Sequence, residues 1–160
     1  MPQKNNIKYI IIHHTATSRD GTKFSALKNS YNWVITADGV LHESRPQNIT
    51  GAHCRASRMN YKSLGIALTG NFQTEYPTIK QLKTLKGIVD QVRKIYNIPI
   101  ENVLGHKEVR FALTACPGTN LLTFIKKMRE VNECDNCDKL EEELKVANEK
   151  LYQIDRIIHS

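Results

Sequence analysis

No run in this 160-residue sequence is apolar for long enough to cross a bilayer. The strongest one near the start, Tyr9 to Ile12, falls far short of the roughly 20 residues that a spanning helix needs. The residues before it carry Lys4 and two asparagines but no apolar segment of signal-peptide type, so the expectation is synthesis in the cytoplasm without a signal peptide. Cysteine is sparse as well. Cys54, Cys116, Cys134 and Cys137 do not have the spacing of a dense secreted disulfide framework, which favours a reducing compartment of synthesis. Zinc-finger spacing, RNA-binding aromatic signatures and helix-turn-helix patterning are all missing, which argues against specific nucleic-acid recognition. There is no internal repeat and no low-complexity segment.

What is there is enough for one core. With 40% hydrophobic residues, a chain of this length buries one real domain plus something small, not two ordinary domains. The formal charge of +7 is unevenly placed. Residues 128–160 hold 5 basic against 9 acidic side chains, leaving 18 against 7, a surplus of 11, in residues 1–127. So basic a body suits a polyanionic partner, and charge alone does not separate nucleic acid from an anionic cell wall.

Ile7-Lys8-Tyr9-Ile10-Ile11-Ile12 is a nearly continuous β-branched run that stops at two histidines, the pattern of a central strand buried on both faces. Its end is a natural place for a site. Tyr31 to Ile35 and Val40 to Ser44 flank Asp38-Gly39, a hairpin turn signal, and Leu64 to Leu68 reads as a further strand. After Pro77, Thr78 and Gln81 have capping-box spacing. Ile79, Leu82, Leu85, Ile88, Val89, Val92 and Ile95 follow at helical intervals until Asn97-Ile98-Pro99. Val103-Leu104 forms a short strand ending at Gly105-His106, and Leu121 to Arg129 forms a second helix. The expected fold is a mixed α/β domain over residues 1–130, with a central sheet flanked by helices.

From Asn132 the texture changes. Cys137, Leu140, Leu144, Ala147, Leu151, Ile154 and Ile158 recur at spacings of three and four, a heptad stripe of about three heptads. Residues 131–160 are therefore expected to form a coiled-coil-like helix for self-association or partner binding, with a helix docked on its own domain as the alternative. Cys134-Asp135-Asn136-Cys137 lies at its start; a merely helical pair, a shared structural zinc site and interchain disulfides all remain open. Cys54 reads as a buried, inert small residue.

Three metal-ligand residue types stand beside strand ends or turns: His13 after the first strand, His106 after Leu104-Gly105, and Cys116 before Pro117-Gly118. Two imidazoles and a thiolate suit zinc with a fourth position left for water. Spacing alone leaves ordinary core or surface histidines open, since His13 and His106 are far apart in the chain. The local words decide more. Ile10-Ile11-Ile12-His13-His14-Thr15-Ala16, Gly105-His106-Lys107-Glu108-Val109 and Thr114-Ala115-Cys116-Pro117-Gly118, in that order, resemble the type 2 N-acetylmuramoyl-L-alanine amidases, which include phage lysozyme-type enzymes and are similar to peptidoglycan recognition proteins. The resemblance covers about residues 7–127.

It implies a zinc-dependent hydrolase of the amide between N-acetylmuramic acid and L-alanine in peptidoglycan, with His13, His106 and Cys116 as ligands. The earlier histidine of the pair matches the family's ligand, which leaves His14 a packing or supporting role; strand alternation agrees, since only one of two successive residues can face the site. Tyr31 matches the tyrosine that the family places beside the zinc water, and Thr114 a position held there by lysine or threonine; these are the implied catalytic helpers. His53 and Asn60 match positions on the substrate groove. A phage-type endolysin, made without a signal peptide and acting on the wall after release, is the implied setting. A non-catalytic peptidoglycan-binding module of the same fold is the alternative, and loss of a ligand would be its mark. Residues 16–30 are shorter than the helix-bearing insertion of many family members, which implies a trimmed groove wall. The interval from His106 to Cys116 also varies in length within the family.

Overall fold

The computed structural model describes residues 6–18, 30–131 and Val146. The chain divides into two units, Met1–Glu130 and Val131–Ser160. Apart from Val131 and Val146, which is helical, the expected heptad helix and the Cys134–Cys137 pair lie outside the described residues.

Among the described residues, the first unit is built on five strands: β1 (Tyr9–His14), β2 (Trp33–Ile35), β3 (Leu41–Glu43), β4 (Ser63–Leu68) and β5 (Val103–Gly105). Their order across the sheet is β3-β2-β4-β1-β5. β1 pairs in parallel with both β4 and β5, β2 runs parallel to β4, and only β3 is antiparallel. Ile10, Ile11 and Ile12 are fully buried, as expected for a strand enclosed on both faces.

The expected strand stops at Ile12, yet β1 continues through both histidines, since His13 pairs with Ala67 and His14 with Leu68 of β4. Ladder hydrogen bonds to a long neighbour outweigh the modest strand preference of histidine. At the other strand boundary, Tyr31 lies just outside β2. Asn32 breaks the regular pattern there: its side-chain carbonyl accepts the Gly65 amide at 2.9 Å, and its backbone carbonyl accepts the amides of Ser44 and Arg45.

Helix α1 (Ile79–Tyr96) begins with the anticipated box: the Thr78 hydroxyl accepts the Gln81 amide, and Gln81 Oε1 accepts the Thr78 amide. Buried Gln81 also donates Nε2–H bonds to the carbonyls of Thr69 and Ile35, tying the helix start to the sheet. Asn97, in the left-handed conformation at φ 52°, ends it. Leu82, Leu85, Ile88, Val89 and Val92 of α1 are buried, as are Leu121, Leu122, Phe124, Ile125 and Met128 of α2 (Thr119–Glu130). Gly39 forms the β2–β3 turn at φ 85°, where a Cβ would meet Lys80 Cβ at 2.7 Å. No helix among the described residues is long and apolar enough to cross a membrane.

Candidate metal centre and active site

Strand parity brings His13 to the site. Alternate residues of β1 face opposite sides, and Ile11 packs with Cys54, Met59 and Val109. His13, two residues on, faces that same side, while His14 faces the other. Their partners differ accordingly. His14 Nδ1 accepts the Phe72 amide at 3.1 Å, and its ring stands 6.2 Å from the Phe72 ring. The buried His13 ring lies 4.7 Å from that of His106, 5.0 Å from Tyr31 and 5.1 Å from His53.

His106 arrives directly after β5, the parallel neighbour of β1, so both histidines leave the same edge of the sheet. Gly105 lets this edge press on the turn that carries Cys116, because a Cβ there would sit 2.8 Å from Leu122 Cδ1 and 2.9 Å from Pro117 Cδ. The turn is held by its own hydrogen bonds. The Lys107 amide donates to the Cys116 carbonyl at 2.8 Å, and the Cys116 amide donates to Thr114 Oγ1 at 3.1 Å. The His14 amide points at Cys116 Sγ at 3.4 Å.

The result is a cluster in which one ligand atom each from His13, His106 and Cys116 lies within 4.8 Å of the others. Cys116 Sγ is 3.5 Å from His13 Nδ1. A tetrahedral zinc with ordinary Zn–S and Zn–N distances separates such a pair by about 3.6 Å, so the donors fit the ion in chemistry and in span. Burial, reinforced by His53 and His106, holds the pKa of His13 well below the usual imidazole range, and burial also lowers that of His106. Both rings are therefore neutral at physiological pH, the form in which imidazole binds metal. Burial pushes the Cys116 thiol up to about 11, with the His14 amide opposing, so a metal must displace its proton on binding. Burial and the nearby Cys116 raise Tyr31 to about 12, which leaves its hydroxyl a donor and not a base.

Residues 3–119 match the family described as N-acetylmuramoyl-L-alanine amidase. The chain belongs to that amidase family. Peptidoglycan-recognition protein SC2 of Drosophila simulans is 34% identical over 138 residues, covering 75% of this chain and 73% of that protein. Among solved structures, the N-acetylmuramoyl-L-alanine amidase LysC from Clostridium intestinale URNW superimposes with a TM-score of 0.69 at 30% identity, over 81% of this chain and 89% of that one. Drosophila PGRP-LB aligns with a TM-score of 0.67 at 26% identity, over 82% and 86% of the two chains.

On this amidase-family frame, Tyr31 stands against His13, and Thr114 sits on the Cys116 turn with its oxygen already accepting the Cys116 amide. His53 lies behind His13, its Nδ1 3.0 Å from His13 Nε2. Burial lowers the pKa of His53 to about 4, partly offset by the Ser63 carbonyl, so it too is neutral. Asn60 turns its carbonyl oxygen away from open solvent to accept the amides of His53 at 2.9 Å and Cys54 at 2.7 Å. Its visible work is to shape the loop that carries His53.

One supporting pair has no signal in the sequence that joins its two members. Glu108, two residues after His106, accepts two hydrogen bonds from Arg129 of α2 at 2.9 and 2.6 Å and another from the Gly105 amide, fastening the His106 turn to the second helix. The only hint is an acid just beyond a ligand, and its partner is 21 residues away. Arg129→Met should lower stability by about 1.5–3 kcal/mol, the usual worth of hydrogen bonds to a charged group, read as a reduced denaturation midpoint in urea. An unchanged midpoint would show that the pair is solvent-screened and structurally idle.

Proposed function

We propose that this protein is a zinc-dependent N-acetylmuramoyl-L-alanine amidase that cleaves the amide between N-acetylmuramic acid and L-alanine of peptidoglycan, as a phage-type endolysin acting on the wall after release. The observation that carries this reading is the convergence of the buried His13 with the half-buried His106 and Cys116, with Tyr31 against it. Zinc held there would supply Lewis acidity, polarising the amide carbonyl and bringing the pKa of a water to about 7. The chain's own residues then handle charge and orientation. Tyr31, protonated throughout the neutral range, can donate its O–H to the oxygen of the scissile carbonyl as negative charge develops on it. Thr114 uses its lone pairs to fix the Cys116 amide and keeps its hydroxyl proton as a second donor. The surplus of basic side chains in residues 1–127 suits an anionic wall. We assign residues 131–160, with their heptad stripe, to self-association or a partner helix.

The direct test mixes purified protein with cell-wall sacculi and measures stem peptides released with free L-alanine amino groups. Release should stop with a chelator and return with added zinc. Sacculus binding with no release from the zinc-loaded protein would instead mark a binding module of the same fold, and release untouched by chelator would remove the metal from the reaction. Tyr31→Phe tests the donor role: kcat should fall about 10²–10³-fold, the worth of one good oxyanion donor, while zinc content stays at the wild-type level. An unchanged kcat would leave the tyrosine a packing residue.

A further inference from the structure

We propose that His53 is the positioning residue of the metal centre: its Nδ1 accepts the proton on His13 Nε2 and thereby fixes His13 in the tautomer whose Nδ1 is offered to zinc beside Cys116. This rests on the zinc reading above. A neutral imidazole has one donor nitrogen and one acceptor nitrogen. His13 Nδ1 faces Cys116 Sγ at 3.5 Å, so a metal ligand at that nitrogen must be unprotonated, and the proton belongs on Nε2. That nitrogen lies 3.0 Å from His53 Nδ1, in a buried contact between rings set nearly perpendicular at 84°.

His53 is held as a fixed part. Asn60 Oδ1 accepts the backbone amides of both His53 and Cys54. The imidazole is also closely flanked by two glycines. A Cβ on Gly51 would lie 2.5 Å from its Cδ2, and one on Gly65 2.6 Å from its Cγ. Neither position has room for even a methyl group without moving the ring. Accepting at Nδ1 obliges His53 to carry its own proton on Nε2.

Partners of this kind orient ligand histidines, and their loss typically weakens metal binding by about 10–100-fold. The test measures zinc affinity of the full chain by competition with a chromophoric chelator, together with melting of the zinc-free proteins and the visible spectrum of the cobalt(II)-loaded ones. His53→Leu should bind zinc about 10–100-fold more weakly than wild type and shift the cobalt bands, while the zinc-free melting temperature changes little. His53→Asn, whose Oδ1 can stand where Nδ1 stands, should recover most of the affinity. Gly65→Ala keeps the imidazole but displaces it, and should weaken zinc in the same direction; it carries the test if His53→Leu does not fold. Wild-type affinity in His53→Leu or in Gly65→Ala, or an Asn variant no better than Leu, overturns the positioning role. A wild-type protein that binds no zinc overturns the metal reading itself, which separates the two failures.

Discussion

Replacing Cys116 by alanine should abolish both zinc retention and release of stem peptides from sacculi, with activity down by more than the roughly 10³-fold that loss of one oxyanion donor produces. The reason is the small number of donors. Among the described residues, three side chains converge, and removing the thiolate leaves two neutral imidazoles with no anionic ligand to hold a dication. Refolding does not mask the effect, because Cys116 is only partly buried and its turn keeps the Lys107 and Thr114 contacts through backbone atoms. Metal analysis after dialysis and peptide release on the same sample check it; activity with stoichiometric zinc in Cys116→Ala would sink the ligand assignment. The same chemistry gives a pH signature. Because the metal-free thiol titrates near 11, zinc must expel one proton at neutral pH, so apparent zinc affinity should rise about tenfold per pH unit between pH 7 and 9.

Gly118→Val should lower the melting temperature by about 10 °C or more, a stability loss of about 3–5 kcal/mol, from strain at the left-handed position together with overlap in a packed interior. Gly118 sits at φ 87°, where β-branched residues are genuine outliers. A Cβ there would lie 2.3 Å from the Phe72 carbonyl carbon and 2.6 Å from the Gln73 nitrogen. Those are backbone atoms, with no flexible end to swing aside. They are also engaged, since the Phe72 carbonyl accepts the Asn120 amide in the first turn of α2 and the Phe72 amide is bound to His14. A push at Gly118 therefore reaches the helix start and the back of the metal centre together. Calorimetry on the zinc-free protein reads the effect, and a wild-type melting temperature would show that the Phe72 segment yields freely.

Local chemistry is what one dimension of sequence records well. The β-branched run before His13, the Asp38-Gly39 turn, the Thr78–Gln81 box and the periodic apolar faces of both helices each depend on residues within a few positions of one another, and each stands in the fold where periodicity and capping rules put it. The three candidate donors stood out for a different reason: each stands in a short word at a strand end or turn, and the words resemble one family in a fixed order. The resemblance picked His13 over His14, and strand parity required only that the two face opposite sides.

What the sequence could not hold is anything decided by long-range pairing. That β1 runs on through both histidines follows from the length of β4, more than 50 residues later. His53 behind His13, Asn60 bent onto the His53 loop, and Glu108 fastened to Arg129 are contacts between segments whose separation no local pattern encodes. The residue types that could hold a zinc ion were thus set by the sequence itself. Their convergence at one point, and which nitrogen of His13 faces Cys116, were settled only when β1, β4 and β5 lay side by side, because hydrogen-bond partners and ring orientation are properties of packing and not of order along the chain.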